Sequence, residues 1–182
     1  MTITDAKWAT FIAPFDVTIP EGVTASKVTG VEESGTLTLE EVTTTIPANT
    51  PVMVNSETTV NETFNGQSVA TQDTYSEGLL TGVYVDTQVP VGDYLLQKNN
   101  DIVAFYQVGS AEGSARPYVR KNRAYLSVPA GGSIKAFYFD ETDAVQSIAG
   151  DKAEKVIFDL QGRRVQKAVK GIYIINGKKT IK

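Results

Sequence analysis

Apolar and polar side chains alternate with a period of two along much of this chain, and a helix cannot gather that pattern onto one dry face. Thr36-Leu37-Thr38-Leu39-Glu40 and Gly82-Val83-Tyr84-Val85-Asp86 both show it, as expected for strands with one wet side. Val52-Met53-Val54 and Ile102-Val103-Ala104-Phe105-Tyr106 are more continuously apolar, which predicts central strands. Thr and Val abound, and no long stretch reads as helix. Pro14, Pro20, Pro47, Pro51, Pro90, Pro117 and Pro129 cannot donate to a ladder, so they belong at strand ends or edges. Lys98-Asn99-Asn100-Asp101 parts two apolar runs and predicts a hairpin turn, because Asn tolerates the left-handed conformation. The expected fold is all-β: an antiparallel β-sandwich with a short C-terminal hairpin or three-strand appendage.

What the chain lacks narrows its chemistry. Its 182 residues contain no Cys and no His. Thiol nucleophiles, Ser-His-Asp triads, imidazole bases and zinc sites built on thiolate or imidazole are therefore excluded, and no metal or cofactor is expected. The net charge of -4 hides an asymmetry. From Asp151 onward nine basic residues face three acidic ones, leaving residues 1–150 at -10. The acidic part should repel nucleic acid and anionic membrane, so nucleic acid is not an expected partner. No apolar run reaches the ~20 residues of a membrane helix. Met1-Thr2-Ile3-Thr4-Asp5 does not open a signal peptide, which leaves a cytoplasmic protein or a segment of a longer secreted precursor.

A domain boundary is expected around residues 143–155, where polar, turn-rich sequence coincides with the change in charge sign. This divides the chain into a module, 1–145, and a basic appendage, 146–182. In the appendage, Val156-Ile157-Phe158-Asp159-Leu160 and Ile172-Tyr173-Ile174-Ile175 read as strands, and Asn176-Gly177 is a two-residue hairpin signal leading to Lys178-Lys179-Thr180-Ile181. Residues 46–54 and 119–128 each place an Asn turn before an apolar strand. The match is short, and no repeat architecture is drawn from it.

Candidate binding residues are aromatic and basic. Exposed Trp or Tyr rings can stack on sugars, and Trp8, Tyr75, Tyr84, Tyr94, Tyr118 and Tyr125 are available, although most aromatics in all-β proteins are core. Trp8, beside Thr10-Phe11-Ile12, is expected to be buried, and Tyr75, between Thr74 and Ser76 in a polar loop, to be exposed. Arg116, Arg120, Lys121 and Arg123 surround Pro117-Tyr118, either pairing with the chain's own carboxylates or meeting an acidic polysaccharide. Tyr75, Tyr118, Arg116, Arg120 and Arg123 are thus the candidate ligand residues. The carboxylate pairs Glu32-Glu33, Glu40-Glu41 and Asp140-Glu141 would point to opposite faces of a strand. Asp140, Glu141 and Asp143 read as a solvated acidic turn rather than a calcium loop, and residues 109–114 as a loop that opens no helix.

Two stretches carry a resemblance. Residues 156–165 and 170–179 are similar to the closing strands of the type IX secretion sorting domain of Bacteroidetes surface and secreted proteins, with its D-L-x-G-R and K-G-x-Y motifs. Asp159, Leu160, Gly162, Arg163, Lys170, Gly171 and Tyr173 match those motifs. The segments 8–15, 19–25, 46–52 and 122–126 resemble a β-rich accessory module that recurs in Bacteroides and Prevotella surface proteins. The resemblance implies an extracellular or outer-membrane location, with a signal upstream of Met1 and no catalytic residues. It also implies a tail that meets the outer-membrane secretion machinery. The expected function is non-catalytic binding or display, with a polysaccharide or a host or cell-surface component as partner. A purely structural spacer and a glycoside hydrolase using carboxylates alone are the alternatives.

Overall fold

The computed structural model describes residues 1–32, 34–109, 116–129 and 134–139, and the backbone of four strands between 157 and 181. The chain divides into two compact units, Met1–Ala144 and Val145–Lys182. Among the described residues there is no helix, and the sheets are antiparallel. The protein is all-β. All seven prolines stand outside the strands, as their missing N–H requires.

The first unit is built from two stretches that repeat one topology. In the first, β2 (Trp8–Phe11), β7 (Val52–Asn55), β4 (Thr24–Val31) and β5 (Leu37–Val42) lie in that order in one sheet, and β3 (Val17–Thr18) pairs with β6 (Thr45–Ile46) as a separate ribbon. In the second, β10 (Leu80–Val83), β15 (Arg123–Leu126), β12 (Tyr94–Asn99) and β13 (Ile102–Gln107) follow the same order, with β11 (Thr87–Gln88) and β14 (Tyr118–Val119) as the ribbon. β9 (Thr74–Glu77) and β16 (Ala136–Phe137) extend the second sheet at its two edges, and β1 (Thr2–Ile3) pairs with β8 (Val60–Asn61).

The correspondence is residue by residue in the two ribbons and in the β2–β7 and β10–β15 pairs. Val17 faces Ile46 as Thr87 faces Val119, an offset of 70 on one strand and 73 on the other. The same offsets carry Thr10 opposite Met53 onto Leu80 opposite Leu126. They carry the Ile19 N–H bond to the Thr44 carbonyl onto that from Val89 to Pro117. The turns match as well: Gly22 and Gly92 both have positive φ after a proline, and Asn49 and Asn122 share a φ of 61°. The resemblance of residues 46–54 to 119–128, from which the sequence alone licensed no repeat, is therefore part of a repeated architecture spanning 8–55 and 78–128. Amino-acid identity conceals it because each position asks only for an apolar or turn-forming residue.

Alternation along each strand then assigns the core. Ala9, Phe11, Ala25, Val52 and Val54 pack with Ile3, Val17 and Ile46 on the ribbon side of the first sheet. Val28, Leu37 and Met53 share a second cluster with Leu80, Tyr94, Phe105, Ala124, Leu126 and Phe137 of the other sheet. Val83, Val89, Val108 and Val119 close the second sheet against its own ribbon. Val52-Met53-Val54 is a central strand covered on both faces, as its apolar run predicts, and β13 lies between β12 and β16. The predicted hairpin is present, with Asn100 and Asp101 both at positive φ.

Some expectations need correction. The alternation in residues 82–86 does not continue a strand: β10 stops at Val83, and the Asp86 carboxylate accepts from the Lys121 N–H in the turn that leads into β15. Among the described residues the second unit has four strands, where a hairpin or three strands were expected. β18 (Arg164–Val165), β17 (Ile157–Asp159), β19 (Ile172–Ile175) and β20 (Lys178–Ile181) lie in that order, because Arg164 and Val165 pair back onto β17. Ile175 faces Lys178, while Asn176-Gly177 itself lies outside the described residues. So do Glu33, residues 110–114, the acidic run 140–143, and Leu160, Gly162, Arg163, Lys170 and Gly171.

Candidate ligand-binding groove

One departure between the two repeats opens a groove. In the first repeat β4 and β7 are joined by three ladder pairs, from Thr24 opposite Asn55 to Ser26 opposite Met53. In the second, β12 and β15 share a single ladder pair, Tyr94 opposite Leu126. Beyond that pair the strands diverge, leaving a groove of about 430 Å³ with residues 95–98 on one wall and Arg123 and Ala124 on the other. Main-chain groups on the vacated edge of β15 must still be satisfied. The Thr10 hydroxyl does this for Ala124 twice, donating to its carbonyl at 3.0 Å and accepting from its N–H at 2.9 Å. The Ile12 N–H donates to the Asn122 carbonyl, so β2 stands where a ladder partner would.

Three of the five candidate ligand residues line this groove: Tyr118, Arg120 and Arg123. Tyr118 is 55% exposed, unusually open for a tyrosine in an all-β chain. Arg120 donates to Asp86 at 2.6 Å on the exposed rim. The Asp86 carboxyl is held below the usual carboxylate range, first by the Lys121 main-chain N–H and then by Arg120. Arg123 is half-buried and makes no ion pair among the described residues; it donates to the Thr10 and Thr2 carbonyls, each at 2.9 Å. Desolvation alone lowers its pKa, with no carboxylate opposing it.

Arg116 and Tyr75 stand elsewhere. Arg116 reaches across the β11–β14 ribbon to the Gln88 side-chain oxygen at 2.7 Å and does not line the groove. Of the three arginines expected to pair with the chain's own carboxylates, Arg120 alone does so among the described residues, while Arg116 and Arg123 donate to neutral oxygens. Tyr75 lies not in a polar loop but on β9, where it faces Gly82. It is half-buried, packs edge-on against Tyr84 at 5.8 Å, and its hydroxyl accepts from the Thr71 and Gln72 N–H groups. Its oxygen organises the 71–75 turn, so the residue is no free stacking platform. A second, more polar depression of about 650 Å³ lies nearby, lined by Ser68, Gln72, Asp73, Tyr84 and Lys121.

Sequence reasoning missed two groove residues. Trp8, expected to be buried, is half-buried: Phe139 stacks on it at 4.3 Å and 21°, and the indole also lines the groove. Lys98 stands on the opposite wall, 3.3 Å from Asp101 and 4.0 Å from Asp5. Neither position carries a local signal, because the divergence of β12 from β15 is a property of the sheet. Among the described residues no three acidic side chains converge as a metal site would need.

No protein-family model, curated protein or solved structure matches the chain. The first repeat offers an internal comparison instead. Where the second repeat carries Arg116, Tyr118, Arg120, Lys121 and Arg123, the first builds the same ribbon, turn and strand entry with Thr43, Thr45, Pro47, Ala48 and Thr50. The architecture does not require basic or aromatic side chains at these places.

Proposed function

We propose that this chain is a non-catalytic binding module of a secreted or cell-surface bacterial protein, and that it holds a glycan in the groove between β12 and β15. The observation that carries this reading is the contrast between the repeats. Five basic or aromatic residues are concentrated on one of two equivalent structural positions, and three of them, Tyr118, Arg120 and Arg123, line the groove where β12 and β15 part. Trp8 and Tyr118 supply rings for the apolar faces of sugars, and Gln97, Lys98, Arg120 and Arg123 supply hydrogen-bond donors for hydroxyls. The groove offers no Cys or His, and among its lining residues there is no carboxylate to act as acid or base. Location at the outer membrane, and engagement of the secretion machinery by the second unit, rest on the resemblance of the tail. Asp159 and Tyr173, one from each tail motif, face each other across β17 and β19.

Calorimetric titration against a panel of bacterial and host oligosaccharides tests this reading. At least one member should bind, and Tyr118→Ala should weaken it about tenfold while leaving the fold intact. Absence of binding across the panel would reject the proposal, as would turnover of a bound glycan by the pure protein.

A further inference from the structure

Arg123 carries an unusual charge for the described residues of the first unit. Its guanidinium is half-buried, yet among the described residues no carboxylate forms an ion pair with it. Its bonds to Thr2 and Thr10 go to neutral main-chain carbonyls. A cation withdrawn from water without a counter-charge is costly, and a guanidinium offers five N–H donors, more than these carbonyls occupy. The residue is not needed for the strand entry as such, since Thr50 occupies the equivalent place in the first repeat. The cations beside it in the groove are Lys98 and Arg120, whose own carboxylate partners, Asp101, Asp5 and Asp86, do not line it. All this sits within 150 residues whose net charge is -10, so cations gathered here are not a general property of the surface.

We infer that the groove ligand carries an anionic group, a carboxylate or sulfate on the sugar, seated against Arg123 with Lys98 and Arg120 at the rim. The inference rests on the glycan reading above and adds to it the class of sugar: uronic-acid-containing or sulfated rather than neutral. A planar carboxylate matches the guanidinium fork, and the ion supplies the counter-charge that the fold withholds.

The test pairs an oligouronate with the same oligosaccharide after chemical reduction of its carboxyl groups to alcohols, alongside a sulfated oligosaccharide. The full chain is titrated at low and at moderate salt. Binding of the oligouronate or the sulfated sugar about tenfold to a hundredfold tighter than the reduced form supports the inference. Arg123→Gln should erase that preference, and thermal unfolding of the variant shows whether it still folds. Should it not fold, the Lys98→Gln, Arg120→Gln double variant serves instead, with a loss of preference and of salt dependence expected. Equal binding of acidic and reduced forms overturns the anionic assignment and leaves the glycan reading standing. Failure of every sugar to bind overturns both.

Discussion

A single hydroxyl, that of Thr10, satisfies both the donor and the acceptor of Ala124, and Thr10 is itself buried. Thr10→Val keeps the shape and removes both bonds, leaving two main-chain groups of β15 without partners in a dry place. We expect a loss of about 3 kcal/mol in urea unfolding, and a loss below about 1 kcal/mol would mean that the contact is dispensable. Two aspartates pull the pH dependence in opposite directions. Burial raises the pKa of Asp93, against the opposing hydrogen bond from Ser127, so the folded state binds that proton more tightly than the unfolded chain. Its contribution is fully present below the ordinary aspartate pKa of about 4 and is lost as pH rises through the raised value. Asp86, with its pKa lowered, contributes above that range and loses its contribution on acidification. Asp93→Asn should therefore gain stability relative to the parent as pH is raised from about 3 to about 6. Urea midpoints that track each other across that window would refute the assignment.

The β11–β14 ribbon and the turn behind it are the elements in which the repeats differ chemically while agreeing geometrically. Tyr118 and Arg116 stand where the first repeat uses Thr45 and Thr43, so the double change Arg116→Thr, Tyr118→Thr installs residues already proven in an equivalent ribbon. Stability should move by no more than about 0.5 kcal/mol, as for exposed sites generally, while glycan affinity falls. A large loss of stability in thermal unfolding would show that these side chains serve the fold. Element type was mostly legible beforehand. The alternation of 36–40 became β5, and the Asn100-Asp101 turn joined β12 to β13 because both residues accept positive φ. Residues 82–86 misled because alternation reports a half-wet surface and cannot say where a ladder loses its partner. Tyr75 misled because polar neighbours describe an edge strand as well as a loop.

Across the first unit, the cluster holding Val28, Leu37 and Met53 together with Leu80, Tyr94, Phe105 and Leu126 belongs to both repeats at once. Neither repeat alone covers the inner face of its sheet, so separation exposes fully buried side chains on each side. A fragment of residues 1–72 is expected to remain unfolded by circular dichroism and proton NMR, whereas residues 1–144 should unfold in one cooperative transition. A stably folded 1–72 fragment would mean that the repeats are independent domains. The groove belongs to this scale too. It exists because one pair of strands in the second sheet diverges where its counterpart in the first stays closed.

The chain's own letters settled that it is all-β, where several of its turns fall, and that imidazole and thiol chemistry are closed to it. Those are local properties, carried by period, by φ preference and by which side chains are present at all. That residues 8–55 and 78–128 share one architecture, and that Trp8, Lys98, Tyr118, Arg120 and Arg123 meet across one groove, was decided only in three dimensions. Main-chain hydrogen bonds join positions as far apart as Ile12 and Asn122, and these bear no imprint of the side chains they bring together.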